Sequence, residues 1–153
     1  MKIAIDQSNH IPWKGYFNLI NDVDLFIFLT MYNMQPGIGV IEKIIITPNG
    51  EKWLTVPVGN NMHRLICDVS YLGRKWEYLY ELDQYLTVEI SRNFLGIKTE
   101  FADSRNFETN GVKHERLLSL VENVGGVSVY ESGPAAKDYI IPEDYEARGI
   151  GLC

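Results

Sequence analysis

The chain opens on Met1-Lys2-Ile3-Ala4-Ile5, a short apolar stretch that predicts a strand, and then turns polar through Asp6-Gln7-Ser8-Asn9-His10. Beyond Pro12 the period changes. Trp13, Tyr16, Phe17 and Ile20 stand at i, i+3, i+4 and i+7, one face of a helix, with Pro12 suited to its first turn and Asn9 to its cap. Leu25-Phe26-Ile27-Phe28-Leu29 follows as a continuous apolar run, the pattern of a strand covered on both faces in a parallel sheet. Strand, polar loop, helix and strand make a βαβ unit.

The stretch Met31 to Gly39, with Pro36, Gly37 and Gly39, reads as a long loop. Ile41–Thr47 and Trp53–Val58 flank Pro48-Asn49-Gly50, which predicts a β-hairpin. From Arg74 to Phe94, Trp76, Leu79, Leu82, Leu86, Ile90 and Phe94 recur at spacings of three or four, predicting a long helix stopped by Gly96. The last third repeats the early pattern. Ile97–Phe101 is a strand, and Lys113–Val124 a helix with Leu117, Leu118, Val121 and Val124 on one face before Gly125-Gly126. Val127–Tyr130 is another strand, followed by a short helix near Pro142–Arg148 and an extended end at Ile150–Cys153. Strands alternating with helices predict an α/β fold, a single domain with a mostly parallel sheet, helices on both faces and a β-hairpin.

Composition narrows the functions open to such a fold. A chain of 153 residues, 46% hydrophobic and 22% charged, has a core to bury and the length of one domain. Fourteen basic against twenty acidic residues give a net charge of -6, opposite to the basic footprint of a duplex-binding protein, so no nucleic-acid partner is expected. The apolar runs fall short of the roughly 20 residues of a membrane helix, and the start has no signal-peptide pattern, so the expectation is a cytoplasmic protein. Cys67 and Cys153 do not make a disulfide framework.

In an open α/β sheet, ligands sit beyond the carboxyl ends of the strands. That rule selects three loops: Asp6–His10, Ala102–Asn110 with Ser104, and Glu131–Tyr139. His10, at a helix start, is the candidate general base; the competing role is a helix cap or packing beneath the loop. Gln7 and Asn9 are suited either to a ligand or to closing the loop on itself. Ser132 lacks the surroundings of a nucleophile elbow, so it is a binding rather than a covalent candidate. Gly133 lets the backbone approach a ligand, Lys137 can hold a phosphate or stand in solvent, and Tyr139 completes the loop. Arg116, in the first turn of a helix, works against the dipole and asks for an anionic ligand or a salt bridge. His10, His63 and His114 lie far apart, and no metal or cofactor motif occurs, so neither metal nor cofactor is expected.

Ile3-Ala4-Ile5-Asp6-Gln7, then Pro12-Trp13-Lys14-Gly15-Tyr16-Phe17-Asn18-Leu19-Ile20 and Asp24, resembles the opening of the WbqC-like protein family. Further blocks follow in the family's order: Trp53 to Val58, Leu95 to Phe101 with Ser104, Glu115-Arg116-Leu117-Leu118, and Tyr130 with Ser132-Gly133-Pro134 through Lys137-Asp138-Tyr139. The resemblance implies surface-polysaccharide chemistry of the O-antigen kind, with a transferase moving glycine or another aminoacyl group onto an amino sugar. A small-molecule amino sugar or nucleotide-linked sugar is the implied partner. Acyl transfer to an amine needs a base, donors for the carbonyl oxygen and a clamp for an anionic carrier. His10, then Gln7 or Asn9, then Arg116 or Lys137 suit those roles in that order.

The chain departs from the family pattern in four places. Gly39-Val40-Ile41-Glu42-Lys43 stands where a basic Trp–x–x–Arg-like motif is common, and the helical stretch after the hairpin is shortened. Gln7-Ser8 replaces Gln–Pro, and His114 replaces a serine. These departures motivate a second reading, a shortened and divergent member that binds without turnover.

Overall fold

The computed structural model describes residues 1–30, 42–56, 65–68, 76–133 and 139–153. These fall into two compact units: Met1–Asp6, Gly15–Leu29 and Ile97–Cys153 form the first, and Gln7–Lys14 with Thr30–Gly96 the second. The expected loop from Met31 to Gly39 and the position of Lys137 lie outside the described residues.

The first unit is a five-stranded sheet whose paired strands all run parallel. It contains β1 (Lys2–Asp6), β2 (Leu25–Phe28), β5 (Glu100–Asp103), β6 (Val129–Glu131) and β7 (Gly151–Leu152), in the spatial order β5-β2-β1-β6-β7. The apolar run of β2 is inaccessible along Phe26, Ile27 and Phe28, because helices cover both faces of the sheet. On one face Phe26, Phe28 and Phe101 form an aromatic layer, with Tyr16 of α1 (Lys14–Asn21) packed edge-on to Phe26 at 5.2 Å. On the other, Ile3, Ile5, Ile27 and Tyr130 pack against Leu117, Leu118, Leu120 and Val121 of α3 (His114–Val124) and Tyr145 of α4 (Pro142–Glu146). The expectation of an α/β fold with helices on both faces of a mostly parallel sheet is met.

Local boundaries move for identifiable reasons. Helix α1 begins at Lys14, so Trp13 precedes it and is 61% exposed, not part of the buried face with Tyr16 and Ile20. Strand β5 begins three residues later than the apolar pattern suggests. Thr99 stays outside it, buried, with its hydroxyl 2.6 Å from the Ile20 carbonyl oxygen and 3.0 Å from that of Val23. That hydroxyl ties the start of β5 to the turn between α1 and β2.

In the second unit, β3 (Glu42–Thr47) and β4 (Gly50–Thr55) pair antiparallel around Pro48-Asn49, as the turn signal predicts. The long helix is shorter than its periodicity. Helix α2 runs Leu79–Glu89, continues as one wider π-type turn over Ile90–Phe94, and is followed by Gly96 at φ +67°. Its buried face also differs from expectation. Leu79, Tyr80, Asp83, Thr87 and Ser91 are buried, whereas Leu82, Leu86 and Ile90 are half-covered and Phe94 is exposed. The buried stripe of this helix is therefore largely polar.

Candidate functional site

β1 connects to β2 on one side of the first unit's sheet, and β6 connects to β7 on the other, so the strand order reverses between neighbours β1 and β6. A doubly wound sheet opens a crevice at such a reversal, beyond the carboxyl ends of the two strands. There, β1 ends at Asp6 and β6 leads through Glu131 into Ser132-Gly133. The two ends are close, since a Cβ on Gly133 would stand 3.7 Å from Asp6 Oδ2. Ser132 donates its backbone N–H to the Cys153 carbonyl oxygen at 3.1 Å, which fixes the path out of β6. Glu131 is ion-paired to Lys2 at 2.6 Å, and its hydrogen bond holds the Lys2 ammonium above the ordinary lysine range.

At the end of β5, Ser104 is buried in a short helical turn. Asp103 accepts from the Arg105 backbone N–H at 2.9 Å and from its guanidinium at 2.8 and 3.1 Å. Arg116 sits in the first turn of α3, as expected, with its Nε donating to the Gly111 carbonyl oxygen at 3.3 Å. Tyr139 is 40% exposed. The first unit thus carries Ser104, Arg116, Ser132, Gly133 and Tyr139.

Gln7, Asn9 and His10 belong to the second unit, and His10 there has a partner that the sequence reading did not name. His10 Nδ1 lies 2.8 Å from Oδ1 of Asp83, which is on α2, and both residues are buried. Burial pushes the Asp83 carboxyl up from 3.8 to about 6, opposed by the hydrogen bond and charge of His10. An ionised Asp83 can only accept. With Asp83 ionised, the proton between the two is on His10 Nδ1, and Nε2 is the ring position that can take a further proton.

Neighbouring bonds hold the same segment. Gln84, next on α2, donates from Nε2 to the buried Ser8 hydroxyl at 3.3 Å, and Asn9 Nδ2 donates to the Gln7 carbonyl oxygen at 3.2 Å. The latter is the loop-closing role weighed for Asn9, while Asn9 Oδ1 is buried without a hydrogen-bond partner among the described residues. Directly after His10, Ile11 has φ +46°, a left-handed conformation that β-branched residues rarely adopt. Such strain costs on the order of 1–3 kcal/mol and gathers where a loop is held for function.

Asp83 had one available signal, its place four residues from both Leu79 and Thr87, which puts an acid on the same helix face as Leu79. The second histidine of interest, His114, is structural. Its Nε2 is 2.8 Å from Asp144 and its Nδ1 accepts the Ile141 N–H at 3.3 Å, so both ring nitrogens tie α3 to α4. No group of three or more His, Cys, Asp or Glu able to hold a metal occurs among the described residues. No helix among them is long and apolar enough to cross a membrane.

Comparison with known proteins places this geometry in a family. The model of the WbqC-like protein family matches residues 7–72 and 70–153. An uncharacterised protein of Mycobacterium tuberculosis, Rv1507c, is 30% identical over 184 aligned positions, covering 97% of this chain and 79% of the relative. Because 184 positions align to a chain of 153, at least 31 of them have no counterpart here, in line with a shortened member. No solved structure matches. With matches to the family model over nearly its whole length, the chain belongs to the WbqC-like protein family.

Proposed function

We propose that the chain is a transferase of bacterial surface-polysaccharide biosynthesis, working in the cytoplasm, that places an acyl or aminoacyl group on the amine of an amino sugar. The observation that carries the reading is the 2.8 Å bond between His10 Nδ1 and the buried Asp83 carboxylate. A base must stand with its lone pair available and its ring held, and a carboxylate on Nδ1 supplies both conditions while favouring the imidazolium once a proton is taken. In the proposed step the amine nitrogen bonds to the acyl carbon and gives its proton to His10 Nε2. The bond from that carbon to the leaving oxygen or sulfur then breaks, and the leaving atom receives the proton.

The family resemblance supplies the substrate class. Ser104, Arg116, Ser132, Gly133, Lys137 and Tyr139 are proposed as sugar- or carrier-binding positions, and Gln7 and Asn9 as partners of the carbonyl oxygen.

The test incubates the full chain with nucleotide-linked amino sugars and a glycyl thioester, and follows amide formation by mass spectrometry. His10→Ala should lower turnover by about 10²- to 10⁴-fold, the usual contribution of a positioned base, with calorimetric binding of the sugar retained. Lys137→Ala and Arg116→Ala should raise KM. If the wild type binds these sugars with no amide formed from any acyl donor, the chain is the binding member of its family. If His10→Ala turns over like wild type, His10 is not the base.

A further inference from the structure

We infer that His114 is an acid-released latch: its neutral ring ties residues 139–141 to α3, and taking up a proton breaks that tie. The buried ring has one bond on each nitrogen. Nε2 lies 2.8 Å from the Asp144 carboxylate of α4, and Nδ1 accepts the Ile141 N–H at 3.3 Å. A neutral imidazole has one donor and one acceptor, so Ile141 fixes the tautomer, with the proton on Nε2 and donated to Asp144. The position that a second proton must take is therefore Nδ1, the atom that holds Ile141.

Protonation acts on the two bonds in opposite senses. An imidazolium donates from both nitrogens, so the new Nδ1–H faces the Ile141 N–H, donor against donor. The bond to Asp144 becomes one between two charges and strengthens. The ring therefore stays on α4, while Ile141, the residue that caps the start of α4, loses its acceptor. Ile141 is 49% exposed, so its N–H can turn to water instead. Tyr139, two residues earlier, is carried by the same stretch of backbone.

The surrounding groups leave that proton no other place. On α4, Arg148 donates to the Asp144 carbonyl oxygen at 2.8 Å and pairs with Glu122 of α3, and the Tyr145 ring meets His114 edge-on at 5.7 Å. Tyr130 of β6 stacks behind Tyr145 at 5.6 Å. At the start of α3 itself, Glu115 accepts the Val112 N–H at 3.3 Å, Arg116 donates to the Gly111 carbonyl oxygen, and Lys113 is exposed. Among the described residues, Asp144 is thus the charge bonded to the ring, and Ile141 N–H is the group that protonation displaces. Histidine changes its charge between about pH 5 and 8, which puts the switch in a range where the fold can be followed.

Amide hydrogen exchange of the full chain, read by NMR from about pH 8 to 5 beside the His114 ring signals, tests the latch. Protection of the Ile141 amide is its exchange rate measured against an unstructured peptide at the same pH. It should fall by about 2- to 10-fold, the worth of one hydrogen bond, with its midpoint where His114 takes its proton. Protection of Ala147, whose N–H is bonded to the Glu143 carbonyl oxygen, should not follow it. His114→Asn keeps an acceptor near the place of Nδ1 and does not titrate, so Ile141 protection in that variant should be flat. This readout needs no sugar and decides the latch whether or not the transferase reading holds. Three results in the wild type overturn the inference: a His114 that takes no proton down to about pH 5, an Ile141 amide unchanged while His114 titrates, or Ala147 falling in step with Ile141 because acid loosens all of α4.

Discussion

Replacing Asp83 by Asn removes one ionisable group from a fully buried position without changing its size, and its effect on stability should depend on pH in a definite direction. The carboxyl is raised from 3.8 to about 6, chiefly by burial. A rise of that size corresponds to about 3 kcal/mol between the two protonation states. The folded chain therefore holds one proton more than the unfolded chain between about pH 4 and 6. The stability that this proton supplies is fully present below about pH 4 and is lost as pH rises through about 6, at up to ~1.4 kcal/mol per unit. Asp83→Asn has no such titration. Urea unfolding of both proteins in half-unit steps from acid to neutral pH should show the variant gaining on wild type by roughly 2–3 kcal/mol across that window. A difference that stays flat refutes the burial argument. A wild type that gains on the variant as pH rises refutes its sign, and means that His10 stabilises the carboxylate more than burial opposes it.

Thr99→Val should destabilise by about 1–3 kcal/mol in the same measurement, since the Ile20 and Val23 carbonyls lose their hydroxyl partner in a buried place. Tyr145→Phe should stabilise by about 1 kcal/mol, because the Tyr145 hydroxyl is buried with no hydrogen-bond partner among the described residues and its removal ends a desolvation cost. Ile11→Gly should raise stability by up to about 1 kcal/mol by relieving the left-handed backbone, while slackening the loop that carries His10 and lowering any His10-dependent turnover.

What was readable in the sequence was what adjacent residues decide. The β2 run announces a strand covered on two faces because no polar residue interrupts it, and Pro48-Asn49 announces a turn because the backbone there has few choices. Helix α2 was misread in its face, because periodicity detects apolar stripes and this stripe contains Asp83, Thr87 and Ser91. Trp13 was misread because a helical period extends through a residue that precedes the helix. In the candidate site, His10 was legible from its place after the first strand, but its partner is 73 residues away and nothing local links them. Asp83 shares its buried helix face with Thr87 and Ser91, so no single break in an apolar pattern marks it out.

Two buried histidines, each bonded to an aspartate, invite the same reading, yet the hydrogen bonds assign them opposite protonation. At His114 the Ile141 N–H points at Nδ1, so that nitrogen accepts and the proton sits on Nε2, donated to Asp144. At His10 the acceptor Asp83 faces Nδ1, so the proton sits there, and Nε2 has no hydrogen-bond partner among the described residues. Of these two, His10 presents the lone pair that a substrate proton can reach without breaking a bond of the fold. Nitrogen-detected NMR of the full chain labelled at histidine, recorded above pH 7, distinguishes the two forms by the shifts of the protonated and bare ring nitrogens. His10→Gln and His114→Gln assign the signals. Among the signals of the three histidines, one set protonated at Nδ1 should be lost in His10→Gln and one protonated at Nε2 in His114→Gln, leaving the His63 set in both. If His10 instead carries its proton on Nε2, Asp83 is the protonated partner at neutral pH, and the pair cannot begin the reaction as a base.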